Sequence, residues 1–408
     1  MAKPVIPYGR QNISEADIDA VVEVLGSDFL TTGPVIGEFE SRFAYIVDAQ
    51  HAVAVSNGTT ALHLVSEALG LGAGSKIIVP SISFWASANA QVMAGYQVVF
   101  ADVSPTTGLL TPETLQEAIN RAPDAKAAVV VHLNGLAADM PGLAKVAKAN
   151  GIQLIEDACH ALGSAYPHSD GTIEKVGSCK YSSAAAFSFH PVKTIATGEG
   201  GMITCNNSNL RDRVSLLRSH GMSLVPMTDK SEALDPVDVS LPWKYEMREL
   251  GWNYRLSAIQ AALGISQLSK LTEFLDKRLE IVKRYNQSFE LLSKKLLPVA
   301  IVAENQGSLN RTGWHLYPVL VRDGSQARLD LFNWLVAQGI RPQVHYYPLH
   351  RQPFYKSQGE ELSLPGADKY YSQVLSLPLY TGLTDAQQEH VIRSILNFHH
   401  FSPQNQNA

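Results

Sequence analysis

Five short runs of β-branched and other apolar residues, separated by segments of helical periodicity, constrain this fold most strongly. They read KIIVP from Lys76, QVVFAD from Gln97, AAVVVHL from Ala127, IQLIED from Ile152 and AAAFSF from Ala184. Continuous apolar runs of this length are typical of strands buried on both faces of a sheet. Strands that alternate with helices predict an α/β domain with a mostly parallel sheet between layers of helices.

The helical segments carry start signals, and the pattern changes after residue 256. Ser14 with Asp17 three residues later, and the pair Thr111-Pro112, predict helix starts. From Ser257 to Leu296 the periodicity predicts a long helical bridge, followed by a strand in WHLYPVLV, a helix at 329–338, an extended QVHYYP and a helix at 385–396. A chain of 408 residues that is 45% hydrophobic is too long to fold around one hydrophobic core of ordinary size. We therefore predict a large domain at 1–256 and a smaller α+β domain at 257–408.

Bulk properties exclude several classes of function. The formal net charge is −5, from 33 basic and 38 acidic residues, and no long run of like charge favours nucleic acid or an anionic membrane. No apolar run approaches the roughly 20 residues of a spanning helix, so we expect a cytoplasmic protein. The cysteines, Cys159, Cys179 and Cys205, are odd in number and not closely spaced, which argues against disulfides and a zinc site.

Lys193 is the first residue that suggests a chemistry. The segment FSFHPVKTIATGEGGMI places it just beyond a buried strand, in a turn rich in Thr and Gly that leads into another strand. A desolvated lysine is costly unless it is paired or reactive, and its unprotonated amine can form a Schiff base with an aldehyde cofactor. Taken alone, Lys193 would more readily be a solvated turn residue.

Three other segments supply partners for such a cofactor. Asp157 ends a buried strand, at the edge where open α/β sheets bind ligands, and a carboxylate there can keep a pyridinium nitrogen protonated. The run SNGTT from Ser56 joins a strand to a helix whose first amides can hold a phosphate. Phe84 and Trp85 follow a strand directly, so one flat ring can stack on a flat cofactor. Each feature alone is equally an ordinary cap, turn or packed ring.

Together these segments resemble the sugar aminotransferases of the DegT/DnrJ/EryC1/StrS family, within the fold-type I pyridoxal-phosphate enzymes. The motifs that carry the resemblance span nearly the whole chain: TTGPVIGEFE from Thr31, SNGTTALH from Ser56, EDACHALG from Glu156, SFHPVKTIATGEGGM from Ser188 and GWNYRLSAIQAALG from Gly251. The resemblance implies an enzyme that uses pyridoxal 5'-phosphate to place an amino group on a nucleotide-linked keto-sugar.

The resemblance also implies a role for each matching residue. Lys193 would form the Schiff base, Asp157 would pair with the pyridine nitrogen, and His160 would lie beside the phenolic oxygen of the ring. Phe84 would stack on the ring. The phosphate would be held by Gly58, Thr59 and Ser188, and by Asn253 of the other subunit, which implies a homodimer with shared active sites.

Within the family, three segments most resemble transaminases of the pseudaminic acid pathway: SDFLTTGP from Ser27, VHLNGLAADM from Val131 and QVHYYPLHRQPFY from Gln343. Those enzymes move the amino group of L-glutamate to carbon 4 of a UDP-linked 4-keto-6-deoxy-N-acetylhexose, through pyridoxamine 5'-phosphate. The run Leu-Asn-Gly-Leu-Ala after His132 is less polar than in many relatives. A dTDP-linked or 3-keto sugar, or a regulatory protein that only binds the cofactor, are the alternatives, although no recognition helix supports the last.

Candidates for substrate contacts are polar or aromatic residues expected near the family's cleft. For the sugar nucleotide they are Tyr8, His132, Arg255, His345, Tyr346 and His350. Arginines suit a diphosphate or the carboxylates of glutamate because their guanidinium groups form forked hydrogen bonds. For that role the candidates are Arg218, Arg255 and Arg351.

Overall fold

The computed structural model describes residues 5–168, 170–223, 245–357 and 362–398. Its strands are β1 (Ile6–Pro7), β2 (His51–Val55), β3 (Lys76–Pro80), β4 (Gln97–Ala101), β5 (Ala127–Val131), β6 (Gln153–Asp157), β7 (Ala165–Pro167), β8 (Ile173–Lys175), β9 (Ala184–Ser188), β10 (Gly201–Cys205), β11 (Met222–Ser223), β12 (Glu246–Met247), β13 (Leu296–Pro298), β14 (Tyr317–Val321), β15 (Ile340–Arg341) and β16 (Val374–Leu377). Its α-helices are α1 (Glu15–Leu25), α2 (Pro34–Val47), α3 (Gly58–Leu69), α4 (Ala86–Met93), α5 (Pro112–Arg121), α6 (Met140–Ala149), α7 (Ser208–Leu217), α8 (Ala258–Ser269), α9 (Leu271–Phe289), α10 (Val299–Asn305), α11 (Ser325–Ala337), α12 (Pro353–Lys356), α13 (Pro365–Gln373) and α14 (Asp385–Leu396).

The central sheet of the described chain has seven strands in the order β2-β10-β9-β6-β5-β3-β4. Strand β10 runs antiparallel to both of its neighbours, and the other pairs are parallel. All five strands predicted from the apolar runs are present in this sheet. Strand β5 is buried along its whole length, as a strand covered by helices on both faces must be. The predicted α/β class is therefore confirmed.

Two helix starts confirm the capping signals. The backbone N–H of Ser14 donates to Oδ2 of Asp17 at 2.8 Å, and α1 follows. At α5, Oγ1 of Thr111 accepts a hydrogen bond from the N–H of Thr114 at 3.2 Å, with Pro112 at the first helical position. Such caps satisfy amides that the first helical turn leaves without partners.

The predicted bridge from Ser257 to Leu296 is helical but not continuous. It consists of α8 and α9, which meet at Lys270, and β13 already begins at Leu296. No proline or glycine marks the break, and the apolar periodicity continues across it. The break therefore could not be predicted from the sequence. Helix α8 packs on α1 and α2, whereas α9 packs on β13 and α14, so the pair connects the two regions of the chain.

The carboxy-terminal region contains an antiparallel sheet in the order β13-β14-β16, with α11 and α14 where the sequence predicted helices. The predicted extended segment from Gln343 is irregular, and Gln343 forms an isolated bridge with Ser376. Strand β1 pairs in parallel with β15, so the N-terminal arm joins the carboxy-terminal region. The domain boundary at residue 256 stays a prediction. Among the described residues, no helix has the length and apolar character needed to span a membrane.

Candidate active site

A cleft of about 670 Å³ lies at the carboxyl ends of β5, β6 and β9. The beginnings of α3 and α4 form part of its wall, and residues 343–347 form another part. The predicted residues that line it are Tyr8, Gly58, Thr59, Phe84, Asp157, His160, Ser188, Lys193, His345 and Tyr346. Parallel strands bring these distant segments together because their carboxyl ends share one edge of the sheet.

Lys193 lies in the loop between β9 and β10, where its backbone N–H donates to the carbonyl of His190 at 2.8 Å. Burial lowers the pKa of Lys193, while nearby Cys159 and Asp157 act in the opposite direction. Among the described residues, no carboxylate lies within 4.0 Å of its Nζ atom. A desolvated amine without a salt-bridge partner loses its proton more easily than an ordinary lysine, which makes it a better nucleophile.

Asp157 is a fixed carboxylate facing the same cleft. Its Oδ2 accepts a hydrogen bond from Oγ of Ser87 at 2.5 Å, and its Oδ1 accepts one from the N–H of Cys159 at 3.2 Å. Ser87 also contacts Oγ of Ser83 at 2.5 Å. The two serines, on α4 and just before it, were not predicted from the sequence. They hold the carboxylate in one orientation, which suits a carboxylate that must meet a ring nitrogen at a set position.

The start of α3 forms a cradle suited to phosphate. Asn57 caps the helix by accepting from the N–H of Thr60 at 2.9 Å, whereas the N–H groups of Gly58 and Thr59 have no acceptor among the described residues. Ser188 lies close by: a Cβ atom at Gly58 would come within 2.9 Å of the Ser188 Cβ and 3.0 Å of the Cys159 Sγ. Free amides at the positive end of a helix, beside a hydroxyl, are a ready anion site.

Phe84 presents an aromatic face to the cleft. Its side chain is 50% exposed, and its ring stacks on Trp85 with centroids 5.6 Å apart and planes 26° apart. The centroid of the Tyr346 ring lies 6.0 Å from that of Phe84. A large apolar ring left half-exposed inside a cleft can bury its free face against a flat ligand.

His345 and Tyr8 line the wall contributed by the ends of the chain. Nδ1 of His345 is 2.8 Å from Oγ of Ser376, and its ring lies 5.3 Å from that of Tyr8. Burial, with a smaller contribution from Lys193, lowers the pKa of His345 to about 3, so this histidine is neutral near pH 7. Burial also raises the pKa of Tyr8.

His132 does not line the cleft, which corrects its prediction as a sugar contact. It is fully buried, with Nε2 at 3.0 Å from Oε2 of Glu156 and Nδ1 accepting the N–H of Ala138 at 3.1 Å. In the sheet register Val131 stands beside Asp157. His132, one residue further on, therefore shares the opposite face with Glu156.

The candidate arginines also lie away from the cleft. Arg218 donates to Oε1 of Glu40 at 2.6 Å and to the carbonyl of Ala54 at 2.7 Å, which gives it a structural role. Arg255 forms an isolated bridge with Val55 and is not among the residues that line the cleft. Arg351 pairs with Asp368 at 2.6 Å and lines a neighbouring cavity of about 1270 Å³.

Two other predicted residues lie outside the cleft. His350 lines the cavity that also contains Arg351, with Nδ1 at 2.6 Å from Oγ of Ser81. Asn253 is exposed, forms a bridge with Ser219 and does not line the cleft of its own chain. Its predicted role in another subunit stays a prediction.

Comparisons with known proteins agree with this geometry. The model of the DegT/DnrJ/EryC1/StrS aminotransferase family matches residues 11–396. The chain is 36% identical over 377 residues to the UDP-4-amino-4,6-dideoxy-N-acetyl-beta-L-altrosamine transaminase of Campylobacter jejuni serotype O:23/36, covering 92% of this chain and 93% of that protein. It is 35% identical over 396 residues to the spore coat polysaccharide biosynthesis protein SpsC of Bacillus subtilis, covering 96% of each.

Solved structures give the same answer. Helicobacter pylori PseC, an aminotransferase involved in the biosynthesis of pseudoaminic acid, matches with a TM-score of 0.86 and 29% identity, over 97% of this chain and 100% of that one. The putative sugar aminotransferase Spr1654 of Streptococcus pneumoniae, in its PLP-form, matches with a TM-score of 0.83 and 27% identity, over 96% of this chain and 97% of that one.

Fold, cleft and relatives together define a pyridoxal-phosphate-dependent aminotransferase that acts on sugars. The chain belongs to the DegT/DnrJ/EryC1/StrS aminotransferase family. The residues present fit this cofactor, because one cleft combines a desolvated lysine, an anchored carboxylate, an open aromatic face and a phosphate cradle.

Proposed function

We propose that this enzyme transfers the amino group of L-glutamate to the C4 keto group of a UDP-linked 4-keto-6-deoxy-N-acetylhexose. The observation that carries the proposal is the pair formed by Lys193 and Asp157, which face one cleft from the ends of neighbouring strands. The choice of sugar rests on the Campylobacter transaminase, whose name specifies a 4-amino-4,6-dideoxy sugar bound to UDP.

In this proposal the chain holds the cofactor at four points. Lys193 would bind its aldehyde group, Asp157 would pair with its ring nitrogen, and Phe84 would cover one face of its ring. The free amides of Gly58 and Thr59 and the hydroxyl of Ser188 would hold its phosphate, and Asn253 of a second subunit would complete the phosphate site. When bound, pyridoxal phosphate supplies an electron-accepting ring that stabilises negative charge on a substrate carbon.

The residues around the cofactor divide the remaining work. The amine of Lys193 would serve as the base that accepts the proton of the substrate carbon, and the lowered pKa of the lysine favours its basic form. Asp157, held in place by Ser87 and the Cys159 amide, would keep the ring nitrogen protonated. Tyr8, His345 and Tyr346 form the wall on which the substrate would rest.

The alternative acceptor is a different nucleotide-linked keto-sugar, with dTDP or with a keto group at C3. It is favoured by the relative from Bacillus subtilis, whose name connects it with spore coat polysaccharide and not with pseudaminic acid. A matched set of UDP- and dTDP-linked 4-keto and 3-keto sugars, each offered to the aminated enzyme, separates the two. The proposal expects the UDP-linked 4-keto-N-acetylhexose to be aminated fastest, and faster amination of a dTDP-linked or 3-keto sugar would contradict it.

A further inference from the structure

Asn134 occupies an unusual backbone position next to His160, which lines the cleft. It lies in the short turn after β5, fully buried, with a φ of 65°. Left-handed backbone is uncommon for residues other than glycine, although asparagine adopts it more readily than most. The carbonyl of Asn134 accepts the N–H groups of His315 and Leu316 at 3.0 and 3.3 Å, so this turn is held from the carboxy-terminal region.

The backbone amide of Asn134 points towards the ring of His160. The N–H of Asn134 donates to Nδ1 of His160 at 3.3 Å. A neutral imidazole carries one proton, so a histidine that accepts at Nδ1 must carry it at Nε2. The ring is almost fully buried and packs against the ring of His315 with centroids 4.4 Å apart. Burial lowers the pKa of His160 well below its ordinary value, which keeps the imidazole neutral.

The proton on Nε2 determines the orientation of Tyr346. Nε2 of His160 lies 3.2 Å from the Tyr346 hydroxyl oxygen, so the imidazole N–H donates to that oxygen. A tyrosine hydroxyl has a single hydrogen of its own. Among the described residues that hydrogen has no acceptor, and Tyr346 lines the cleft together with Lys193 and Phe84. The Tyr346 hydroxyl can therefore donate a hydrogen bond to a ligand bound in the cleft.

We propose that Tyr346 is a catalytic residue whose hydroxyl, oriented by Asn134 through His160, donates a hydrogen bond to the carbonyl oxygen of the substrate. This inference rests on the proposed function, in which both the keto-sugar and 2-oxoglutarate would present a carbonyl carbon to the amino group of pyridoxamine phosphate. A donor placed beforehand stabilises the negative charge that develops on that oxygen as the amine attacks the carbon. Asn134 and His160 act as positioning residues for this hydroxyl.

The test compares Tyr346→Phe with the wild-type enzyme in the single reaction of 2-oxoglutarate with the pyridoxamine-phosphate-loaded protein. Loss of one hydrogen bond to a developing charge should lower the rate constant by about tenfold or more. Tyr181→Phe, remote from the cleft, is the matched control for a lost tyrosine hydroxyl. A Tyr346→Phe enzyme within twofold of that control would overturn the proposal.

A second pair of variants tests the relay, the two hydrogen bonds that connect Asn134 to His160 and His160 to Tyr346. It separates loss of the relay from a general disturbance of the site. In a His160→Ala background, the change Tyr346→Phe should have less than a twofold effect, because the hydroxyl has already lost its orientation. His160→Gln should recover at least part of the loss, since a glutamine amide can both accept from Asn134 and donate to Tyr346. A full tenfold effect of Tyr346→Phe in the His160→Ala background would contradict the relay.

The tautomer can be measured without cofactor or turnover. In ¹⁵N-histidine-labelled, cofactor-free protein, the His160 signals, assigned by their loss in His160→Gln, should show the proton on Nε2. A proton on Nδ1, or a charged ring at pH 7, would overturn the inference. If the wild-type enzyme fails to exchange an amino group with L-glutamate, glutamate is not the amino-group donor. This spectrum still shows whether His160 has the tautomer that the relay requires.

Discussion

Ser87 Oγ and Asp157 Oδ2 lie 2.5 Å apart, so a hydroxyl from the first turn of α4 fixes the carboxylate at the end of β6. Ser87 is fully buried and 70 residues distant in the chain from its partner. A hydrogen bond to a charged group is among the stronger ones in proteins, and here it orients the group that is proposed to meet the cofactor ring nitrogen.

Removal of this hydroxyl should weaken catalysis without removing the cofactor. We expect Ser87→Ala to lower turnover by about tenfold or more, the loss that follows from about 1.5 kcal/mol for a hydrogen bond to a charged acceptor. Asp157→Asn should be far more damaging, because the amide cannot keep a ring nitrogen protonated. Turnover with saturating cofactor is the measurement, and equal losses in the two variants would contradict the ranking.

Gly58→Ala tests the phosphate cradle. The added methyl would meet the Ser188 Cβ at 2.9 Å and the Cys159 Sγ at 3.0 Å, so the start of α3 must shift. Overpacking of this kind costs about 1–3 kcal/mol, so we expect a weakening of pyridoxal phosphate binding by about 5- to 150-fold. Gly37→Ala is the matched control, because nothing lies within 4 Å of a Cβ there. Equal cofactor affinity in both variants, measured by titration, would count against the cradle.

His315 should make the protein sensitive to acid. It is buried, its Nδ1 has no partner among the described residues, and burial lowers its pKa well below the ordinary value. The charges of Lys193 and Arg278 and the rings of His160 and His345 act in the same direction. The unfolded state therefore binds more protons below about pH 6.5. As the pH decreases below that value, this residue lowers the free energy of unfolding by about 1.4 kcal/mol per pH unit.

Replacing His315 by Gln should remove that share of the acid sensitivity. Between pH 7.5 and 5.0 the variant should lose about 2 kcal/mol less free energy of unfolding than the wild type, measured by guanidinium denaturation. His390→Gln, at an exposed position, is the control. An unchanged pH dependence in His315→Gln would show that the residue does not titrate between the folded and unfolded states.

The strands were predictable because each carries a continuous apolar run, and the location of Lys193 and Asp157 in one cleft was predictable because such strands share one carboxyl edge. The error for His132 has a simple cause. The prediction ignored strand alternation: Asp157 faces the cleft with Val131, so the next residue along β5 faces away. The parity of side chains along two paired strands could have corrected it.

Other parts of the site depend on contacts that no local pattern records. Ser87 reaches Asp157 across 70 residues of chain, and His315 contacts His160 from the carboxy-terminal region. The left-handed turn at Asn134 was visible only as an unexpected Leu-Asn-Gly run. The break at Lys270 was also missed, since the apolar periodicity continues through it.

Shared active sites can be tested by mixing inactive chains. Asn253 is exposed and outside the cleft of its own chain, so we propose that it serves a partner subunit. When Lys193→Ala and Asn253→Ala chains are unfolded together and refolded, each mixed dimer should contain one intact site and one doubly defective site. Activity should then rise well above that of either variant alone. Activity equal to the average of the two variants would mean that each site belongs to one chain.

The most direct test of the account is the absorption spectrum of the reconstituted protein before and after L-glutamate, recorded for the wild type and for Lys193→Ala. We expect the wild type to show a Schiff-base band that gives way to a pyridoxamine band and returns with the keto-sugar. Lys193→Ala should retain cofactor without that band and should turn over at least about a hundredfold more slowly. A wild-type protein with no Schiff-base band, or a Lys193→Ala variant of normal activity, would contradict the central claim that Lys193 carries the chemistry.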